Sequence, residues 1–266
     1  MSNMVLGRYL PLDSKIHSMD PRAKIMCMLF LLIAIFIPAG YVGYAILLAI
    51  VFVVVLMSKI GLPYIFKAMK PMLFMMIFLF VINMLVIKRG NLLFELGWFS
   101  IYDEAIFQTL YIVIRLLLMI SITTLLTATT KPLDLTLGIE DLLGPFQKIG
   151  LPSHIIAMMI SIALRFIPTL IEETQRIMKA QASRGVDFEE GKFMEKIRSI
   201  LSLIVPLFIS AFQRAEDLAY AMEARGYAPE NKRTRYKLLK LRAFDVVAMI
   251  FCALVIAGLV GVAILV

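Results

Sequence analysis

Two Arg-Gly pairs are the residues of this chain whose type and spacing point most directly to binding. Arg184-Gly185 closes the run Ala-Gln-Ala-Ser-Arg-Gly, and Arg225-Gly226 closes the related run Ala-Met-Glu-Ala-Arg-Gly. An arginine guanidinium donates hydrogen bonds in a planar fork that matches carboxylates and carbonyls. Because each pair follows a long stretch with helical periodicity, the sequence predicts two equivalent helix ends that bind a partner of twofold character.

The same pairs have a simpler interpretation as helix caps. Glycine is the usual residue just past a helix end, and a cation in the last turn complements the helix dipole. A single pair favours a cap, whereas a repeated pair with alanine at matching upstream positions favours partner binding. The predicted docking residues are Ser183, Arg184 and Gly185 in the first copy and Ala224, Arg225 and Gly226 in the second.

A nucleotide site is not indicated, although Gly185–Phe193 superficially resembles a P-loop. The spacing is one residue too long, and Phe193 stands where the motif requires a Ser or Thr to bind Mg²⁺. Two glutamates would also face the phosphates. We therefore expect ATP and Mg²⁺ to be bound by another chain and not by this one.

Metal and catalytic sites are not indicated either. His17 and His154 have no neighbouring ligand residues, and Cys27 and Cys252 lie in apolar stretches where they act as small hydrophobic residues. We expect no metal, no cofactor, no disulfide framework and no catalytic residue. This inventory disfavours a membrane-embedded enzyme.

Long apolar blocks must position the Arg-Gly pairs. The chain has 266 residues, of which 61% are hydrophobic, against about 45–50% in ordinary soluble domains. Five blocks are long enough, or nearly so, to cross a hydrocarbon core of about 30 Å: Ile25–Ala39, Tyr41–Met57, Pro71–Ile87, Ala105–Ala128 and Ala243–Val266. The predicted fold is all-α, a polytopic helical membrane protein with two long, partly embedded helices that project into the cytoplasm.

Ionisable residues are scarce inside the predicted spans. Arg115 lies within the fourth and Asp245 at the start of the last. A charge inside the membrane is costly and usually functional, and an ion-coupled carrier needs more of them. The alternative of a self-sufficient secondary membrane carrier is therefore disfavoured, and we expect Arg115 to pair with Asp245 or a backbone carbonyl.

The net charge of +8 is first a topology signal. Basic residues concentrate before the first span and between residues 131 and 242, so the positive-inside rule places the amino terminus and this region in the cytoplasm and the carboxyl terminus outside. No cleavable signal peptide is expected. The stretch 232–242 suits the anionic surface of the lipid bilayer. Binding to nucleic acid is disfavoured because the charges are scattered among spans.

The predicted domains follow from this pattern. Residues 1–130 form a membrane domain with the first four spans, 131–242 a cytoplasmic domain that holds the two long helices, and 243–266 the final span. Within the second domain we expect helices at about 133–143, 153–182 and 193–223, of which the last two would each extend about 45 Å. Residues 92–102 could form a small hairpin around Gly97, with Trp98 at the membrane interface.

Several motifs together resemble the transmembrane T component of energy-coupling factor (ECF) transporters, a division of the ABC transporters that imports vitamins and some metal ions. The matching motifs are Gly7-Arg8-Tyr9 with Ser14, His17 and Asp20–Lys24, then Leu164–Pro168, Ala180–Gly185, Arg214–Ala219 and Ala221–Tyr227. The resemblance covers nearly the whole chain. Ser183 replaces the usual alanine of the first signature, which leaves Arg184 and Gly185 in place.

The resemblance implies a non-catalytic subunit that works with three partners. Two cytosolic ATPase subunits, here expected to be a heterodimer, would receive Arg184 and Arg225, one in a groove of each. A membrane-embedded S component would bind the vitamin and pack on the apolar faces of 155–170 and 197–212. ATP-driven movement would pass through the two long helices of the domain 131–242, the coupling helices of the family, to the S component in the cell membrane.

Overall fold

A computed structural model gives the architecture of the chain and describes residues 9–87, 90, 92–96, 99–145, 153–188, 192–228 and 239–265. These residues form eight helices and one small hairpin, which confirms the predicted all-α polytopic fold. The chain divides into two compact units. The first comprises Met1–Leu142 and Leu239–Val266, and the second comprises Leu143–Leu238. The domain boundaries given above stay a prediction.

The helices and strands have the following bounds. In the first unit they are α1 (Pro21–Phe36), α2 (Gly40–Ser58), α3 (Leu62–Val86), β1 (Leu92–Leu96), β2 (Phe99–Tyr102), α4 (Asp103–Thr129), α5 (Pro132–Leu143) and α8 (Ala243–Leu265); in the second they are α6 (Ser153–Ala182) and α7 (Phe193–Ala224). The three helices predicted between residues 131 and 242 are confirmed to within one residue at each end.

Residues at helix ends explain where several helices begin. The Asp20 carboxylate accepts a hydrogen bond from the Arg22 N–H at 2.9 Å, and Pro21 occupies the first helical position, so α1 has a side-chain cap and a preset backbone. Asp103 and Glu104 open α4, where their charge complements the positive end of the helix dipole. Local chemistry therefore sets these two starts.

The core of the first unit lies around α4. This helix packs against α1, α2 and α3, while α8 packs mainly on α1. The apolar side chains buried in this core include Leu31 and Ile35 of α1, Leu47, Val51 and Val55 of α2, and Leu118, Ile122 and Leu125 of α4. Gly138 lets α5 approach α1, because a Cβ there would lie 3.2 Å from the Pro21 Cβ.

Among the described residues, five helices are long and apolar enough to cross a membrane, namely α2, α3, α4, α6 and α8. Four of them, α2, α3, α4 and α8, overlap predicted spans, although α3 begins at Leu62, ahead of the predicted Pro71. α1 has 16 residues, fewer than the about 20 needed for crossing. α6 has the composition of a span, whereas we predicted partial embedding; that placement stays a prediction.

The strands β1 and β2 form the small antiparallel hairpin expected between the third and fourth spans. Leu92 pairs with Tyr102 and Leu96 with Phe99, with an irregularity between Leu92 and Phe94. The hairpin is therefore confirmed. Gly97 and Trp98, and with them the predicted interface contact of Trp98, lie outside the described residues.

Candidate functional site

The first Arg-Gly pair forms a regular helix ending. Gly185 has a positive φ of 84°, its N–H donates to the Ala182 carbonyl at 3.0 Å, and the Val186 N–H donates to the Gln181 carbonyl at 3.1 Å. These two hydrogen bonds define the Schellman motif, in which the left-handed residue is glycine because a Cβ would be strained there. Arg184 is thus the cap residue of α6.

The second pair repeats this geometry at the end of α7. Gly226 has a φ of 69°, its N–H donates to the Glu223 carbonyl at 2.8 Å, and the Tyr227 N–H donates to the Met222 carbonyl at 2.9 Å. The similarity of the two signatures therefore extends to the backbone. Both helices end in the same motif, with arginine at the same position of it.

The two interpretations of the Arg-Gly pairs apply to different atoms. The glycines satisfy the backbone of the cap, and the arginine charge complements the negative end of the helix. Arg184 and Arg225 are exposed, and no salt bridge to either is present among the described residues. A cap needs the glycine but leaves the guanidinium free to bind a partner.

The neighbouring docking residues are also exposed. Ser183 donates a hydrogen bond from its hydroxyl to the Lys179 carbonyl at 3.0 Å, within its own helix, and Ala224 carries only a methyl group. A Cβ built on Gly185 or Gly226 would meet no atom within 4 Å. Each signature is therefore an open, accessible helix end, and its docking role stays a prediction.

The helices α6 and α7 run in opposite directions. The Gln181 side-chain amide donates to the Ser202 carbonyl at 3.4 Å, and Arg214 binds Glu173 at 3.0 Å. Moving forward along α6 therefore means moving backward along α7. The sequence predicts both helices but not their relative direction, because only the fold shows which turns of the two helices meet.

Opposite directions place the two signatures at opposite ends of the helix pair. Counting from either interhelical hydrogen bond at about 1.5 Å per residue, Arg184 and Arg225 lie roughly 35 Å apart along the pair. They do not form one composite site. The pair instead presents two separate, exposed helix endings of the same backbone geometry.

One face of α7 is apolar and exposed. Phe208 and Phe212 pack on each other with ring centroids 4.6 Å apart, yet each is 62% exposed. The other large apolar residues exposed on this helix include Leu201, Ile204, Val205 and Ile209. These residues belong to the predicted face 197–212, and Met159 and Ile160 are similarly exposed on α6.

Known proteins resemble this chain over nearly its full length. The family model CbiQ, described as "Cobalt transport protein", matches residues 13–236. Proteins named "Energy-coupling factor transporter transmembrane protein EcfT" are 43% identical over 258 residues in Thermosediminibacter oceani and 41% identical over 259 residues in Bacillus subtilis, each match covering 97% of both chains. The EcfT of Brevibacillus brevis is 44% identical over 257 residues, covering 96% of this chain and 97% of that protein.

The chain belongs to the EcfT family. It is thus the transmembrane component of an energy-coupling factor transporter and a multi-pass membrane protein, which confirms the resemblance found in the sequence. Among the described residues of this EcfT chain, no group of His, Cys, Asp and Glu could hold a metal ion. Of the segment that resembles a P-loop, Glu189–Gly191 lies outside the described residues.

Arg115 of this EcfT chain has a different partner from the expected one. Its Nε donates to the Tyr44 hydroxyl at 2.9 Å, and its guanidinium lies 5.2 Å from the ring centroid of Tyr111 and 5.6 Å from that of Phe36. The expected pairing with Asp245 or a backbone carbonyl is wrong. Aromatic rings stabilise this half-buried cation without a carboxylate, and the contacts of Arg115 join α1, α2 and α4.

Asp245 instead belongs to a polar junction whose importance the sequence analysis missed. Its carboxylate is fully buried and accepts hydrogen bonds from the backbone N–H groups of Arg242 at 2.8 Å and Asp20 at 3.3 Å. Arg22 pairs with Asp20 at 3.1 Å and with Asp141 of α5 at 3.4 Å. The junction therefore ties α1 and α5 to the start of α8.

Lys24 completes this junction at the carboxyl end of α4. Its Nζ donates to the carbonyls of Thr129 at 2.9 Å and His17 at 3.2 Å. Burial lowers the pKa of Lys24 to about 8, against the opposing effect of Asp134, Asp245 and Asp20. The family motif Asp20–Lys24 signalled this region, but its partners are distant in sequence and only the fold identifies them.

Proposed function

We propose that this EcfT chain is the scaffold and coupling subunit of an ATP-driven importer, with one ATPase subunit docked on each Arg-Gly helix end. Arg184 would enter a groove of one ATPase and Arg225 a groove of the other. The ATPases bind ATP and Mg²⁺, and this chain relays their movement. Its cargo is a vitamin or another micronutrient captured by a separate S component.

The repeated helix ending is the observation that carries this proposal. Two Schellman motifs each present an exposed arginine, and the opposed directions of α6 and α7 separate them by roughly 35 Å. Two antiparallel helices with the same ending are related by an approximate twofold rotation. A dimer of related ATPases presents two equivalent surfaces in the same relation.

The exposed apolar faces support a site for the S component. A long helix face with Phe208 and Phe212 largely exposed needs an apolar partner, either lipid or protein. The S component is such a partner, since it is itself embedded in the membrane. The proposed topology has the amino terminus and the signatures in the cytoplasm and the carboxyl terminus outside, following the basic residues.

Charge reversal of both arginines tests the proposal. The full chain carrying Arg184→Glu and Arg225→Glu should insert into the membrane normally but lose co-purification with the transporter's ATPase subunits and lose vitamin uptake. The matched control is Lys196→Glu with Arg198→Glu, which makes the same charge change at exposed positions of α7 outside the signature. Normal uptake by the signature variant, or equal loss in the control, would refute docking at the signatures.

A further inference from the structure

An apolar cavity of about 480 Å³ lies inside the first unit, between α1, α2, α4 and α8. Val53 and Met57 of α2 and Val247 and Phe251 of α8 form part of its wall. Val53 is 52% exposed, Val247 63% and Phe251 50%. Because α2 and α8 are both candidate spans, the cavity opens sideways into the lipid.

The two helices form a wedge that is closed at one end. Near the start of α2, a Cβ on Gly43 would lie 3.2 Å from Leu259 Cδ2 of α8, so the helices nearly touch there. Toward the other end of α2 they diverge, and the cavity fills the space between Met57 and Phe244. A close-packed protein interior rarely keeps such an opening empty.

A polar bowl of about 790 Å³ adjoins the open end of the wedge. Lys15, Lys59, Asp13 and Ser18 line it, and Met57 lines both the bowl and the cavity. Both lysines are exposed, and neither forms a salt bridge within the part of the chain that the structure describes. The side chains of the bowl thus carry one net positive charge.

His17 holds the wall of this bowl and does not add to its charge. The Nε2 lies 3.0 Å from the Leu10 carbonyl and must donate its proton, so Nδ1 accepts from the Ser14 hydroxyl at 2.7 Å. Burial lowers the pKa of His17, which favours this neutral ring. The two lysines are therefore the cations available to a ligand.

We propose that a phospholipid of the phosphatidylglycerol class binds here, with its phosphate between Lys15 and Lys59 and one acyl chain in the apolar cavity. The apolar wedge is open to the bilayer and ends at two cations, which matches an anionic lipid whose acyl chain lies in the bilayer and whose phosphate lies at the surface. The headgroup hydroxyls can donate to Asp13. The dipole of α2 places about half a negative charge at its carboxyl end, which is less than the net positive charge of the side chains, so the bowl still attracts an anion.

A zwitterionic phospholipid fits the charge of this site less well. Its phosphate and ammonium cancel, which would leave the net positive charge of the bowl unmatched. A free phosphate would use the lysines alone and gain nothing from the cavity. The proposal therefore requires both the negative charge and the long acyl chain.

Lipid retention by the full chain tests the proposal. The chain is purified from nanodiscs made of equal amounts of phosphatidylglycerol and phosphatidylethanolamine, and the lipids that remain bound are counted by native mass spectrometry. We expect one long-chain phosphatidylglycerol per chain. Lys15→Gln with Lys59→Gln should weaken its binding about 30-fold, or about fivefold for each lysine.

Two further measurements separate a specific site from general lipid adhesion. The matched control Lys67→Gln with Lys70→Gln removes the same charge from exposed positions on α3 and should retain the lipid. Val54→Phe, which narrows the cavity, should displace it, and if that variant misfolds, the wild-type chain should prefer long-chain over short-chain phosphatidylglycerol. Equal loss in the control, equal retention of phosphatidylethanolamine, or no preference for chain length would overturn the proposal.

Discussion

Single and double alanine substitutions of the signature arginines give a quantitative test of two independent docking points. Arg184→Ala and Arg225→Ala each remove a guanidinium and leave the cap glycine in place, so both helix ends should keep their Schellman hydrogen bonds. Any loss of ATPase binding then reports the contact and not the fold. The double variant asks whether the two contacts are separate.

The magnitude follows from the geometry of the helix pair. An arginine buried in a partner's groove is a typical hot spot, and its truncation costs about 2 kcal/mol or more, which is about 30-fold in affinity. Substitutions more than about 7–10 Å apart usually add, and these arginines lie roughly 35 Å apart along the pair. The double variant should therefore bind about 1,000-fold more weakly.

The assay is the affinity of the ATPase dimer for the full chain held in nanodiscs, measured by surface plasmon resonance. Arg176→Ala and Arg198→Ala are the controls, because both arginines are exposed on α6 and α7 but lie outside the signatures. A double variant no weaker than either single variant would refute two separate docking points. If a single variant keeps the wild-type affinity, the substituted arginine serves only as a helix cap.

Two further predictions concern stability. Gly185→Ala and Gly226→Ala should each destabilise their helix ends by about 1–2 kcal/mol through backbone strain alone, because the new Cβ would contact no other part of the chain within 4 Å. Amide hydrogen exchange in the last turn of each helix should therefore be faster in the alanine variants than in the wild-type chain. Asparagine, which tolerates positive φ, should bring the exchange rate most of the way back to the wild-type value. Equal exchange rates in the alanine and wild-type chains would contradict the strain argument. Asp245→Asn should lower the free energy of unfolding in mixed micelles by about 1–3 kcal/mol, because the amide nitrogen cannot accept one of the two backbone hydrogen bonds. An unchanged unfolding transition would show that the junction does not depend on this carboxylate.

Local patterns predicted the elements of this chain well. The bounds of α6 and α7 follow from their long apolar stripes and from the glycines that end them, and the hairpin β1–β2 follows from residues that favour strands on either side of a turn. α3 is longer than predicted because Pro71 is accommodated inside the helix and Pro63 suits its first turn. Periodicity predicts each helix by itself and carries no information about which helices pack against it.

Relations between distant residues could not be predicted in this way. We expected Arg115 to pair with Asp245 or a backbone carbonyl, but the fold places the Tyr44 hydroxyl and the rings of Phe36 and Tyr111 beside it. Asp245 reaches the start of α1 across most of the chain length. Both outcomes depend on which helices pack together, and a single sequence carries no direct record of that. The recurrence of Arg-Gly was visible in the sequence, whereas the opposed directions of the two helices were not.

The two signatures share a geometry but not a mechanical position, and this difference bears on how they would transmit force. Arg184 lies about one turn beyond Gln181, where α6 is tied to α7, whereas Arg225 lies about three turns beyond Arg214, the nearest tie on α7. The arm of each signature, meaning the distance from its arginine to the nearest interhelical hydrogen bond, is therefore longer for Arg225 than for Arg184. Equal movements of the two ATPases would then rotate α6 and α7 by unequal amounts. The asymmetry between the two signatures lies in these arm lengths more than in the difference between Ser183 and Ala224. Moving the Arg184–Gly185 ending outward by two inserted turns of helix would make the arms equal, and uptake that survived this change would show that unequal arms are not required.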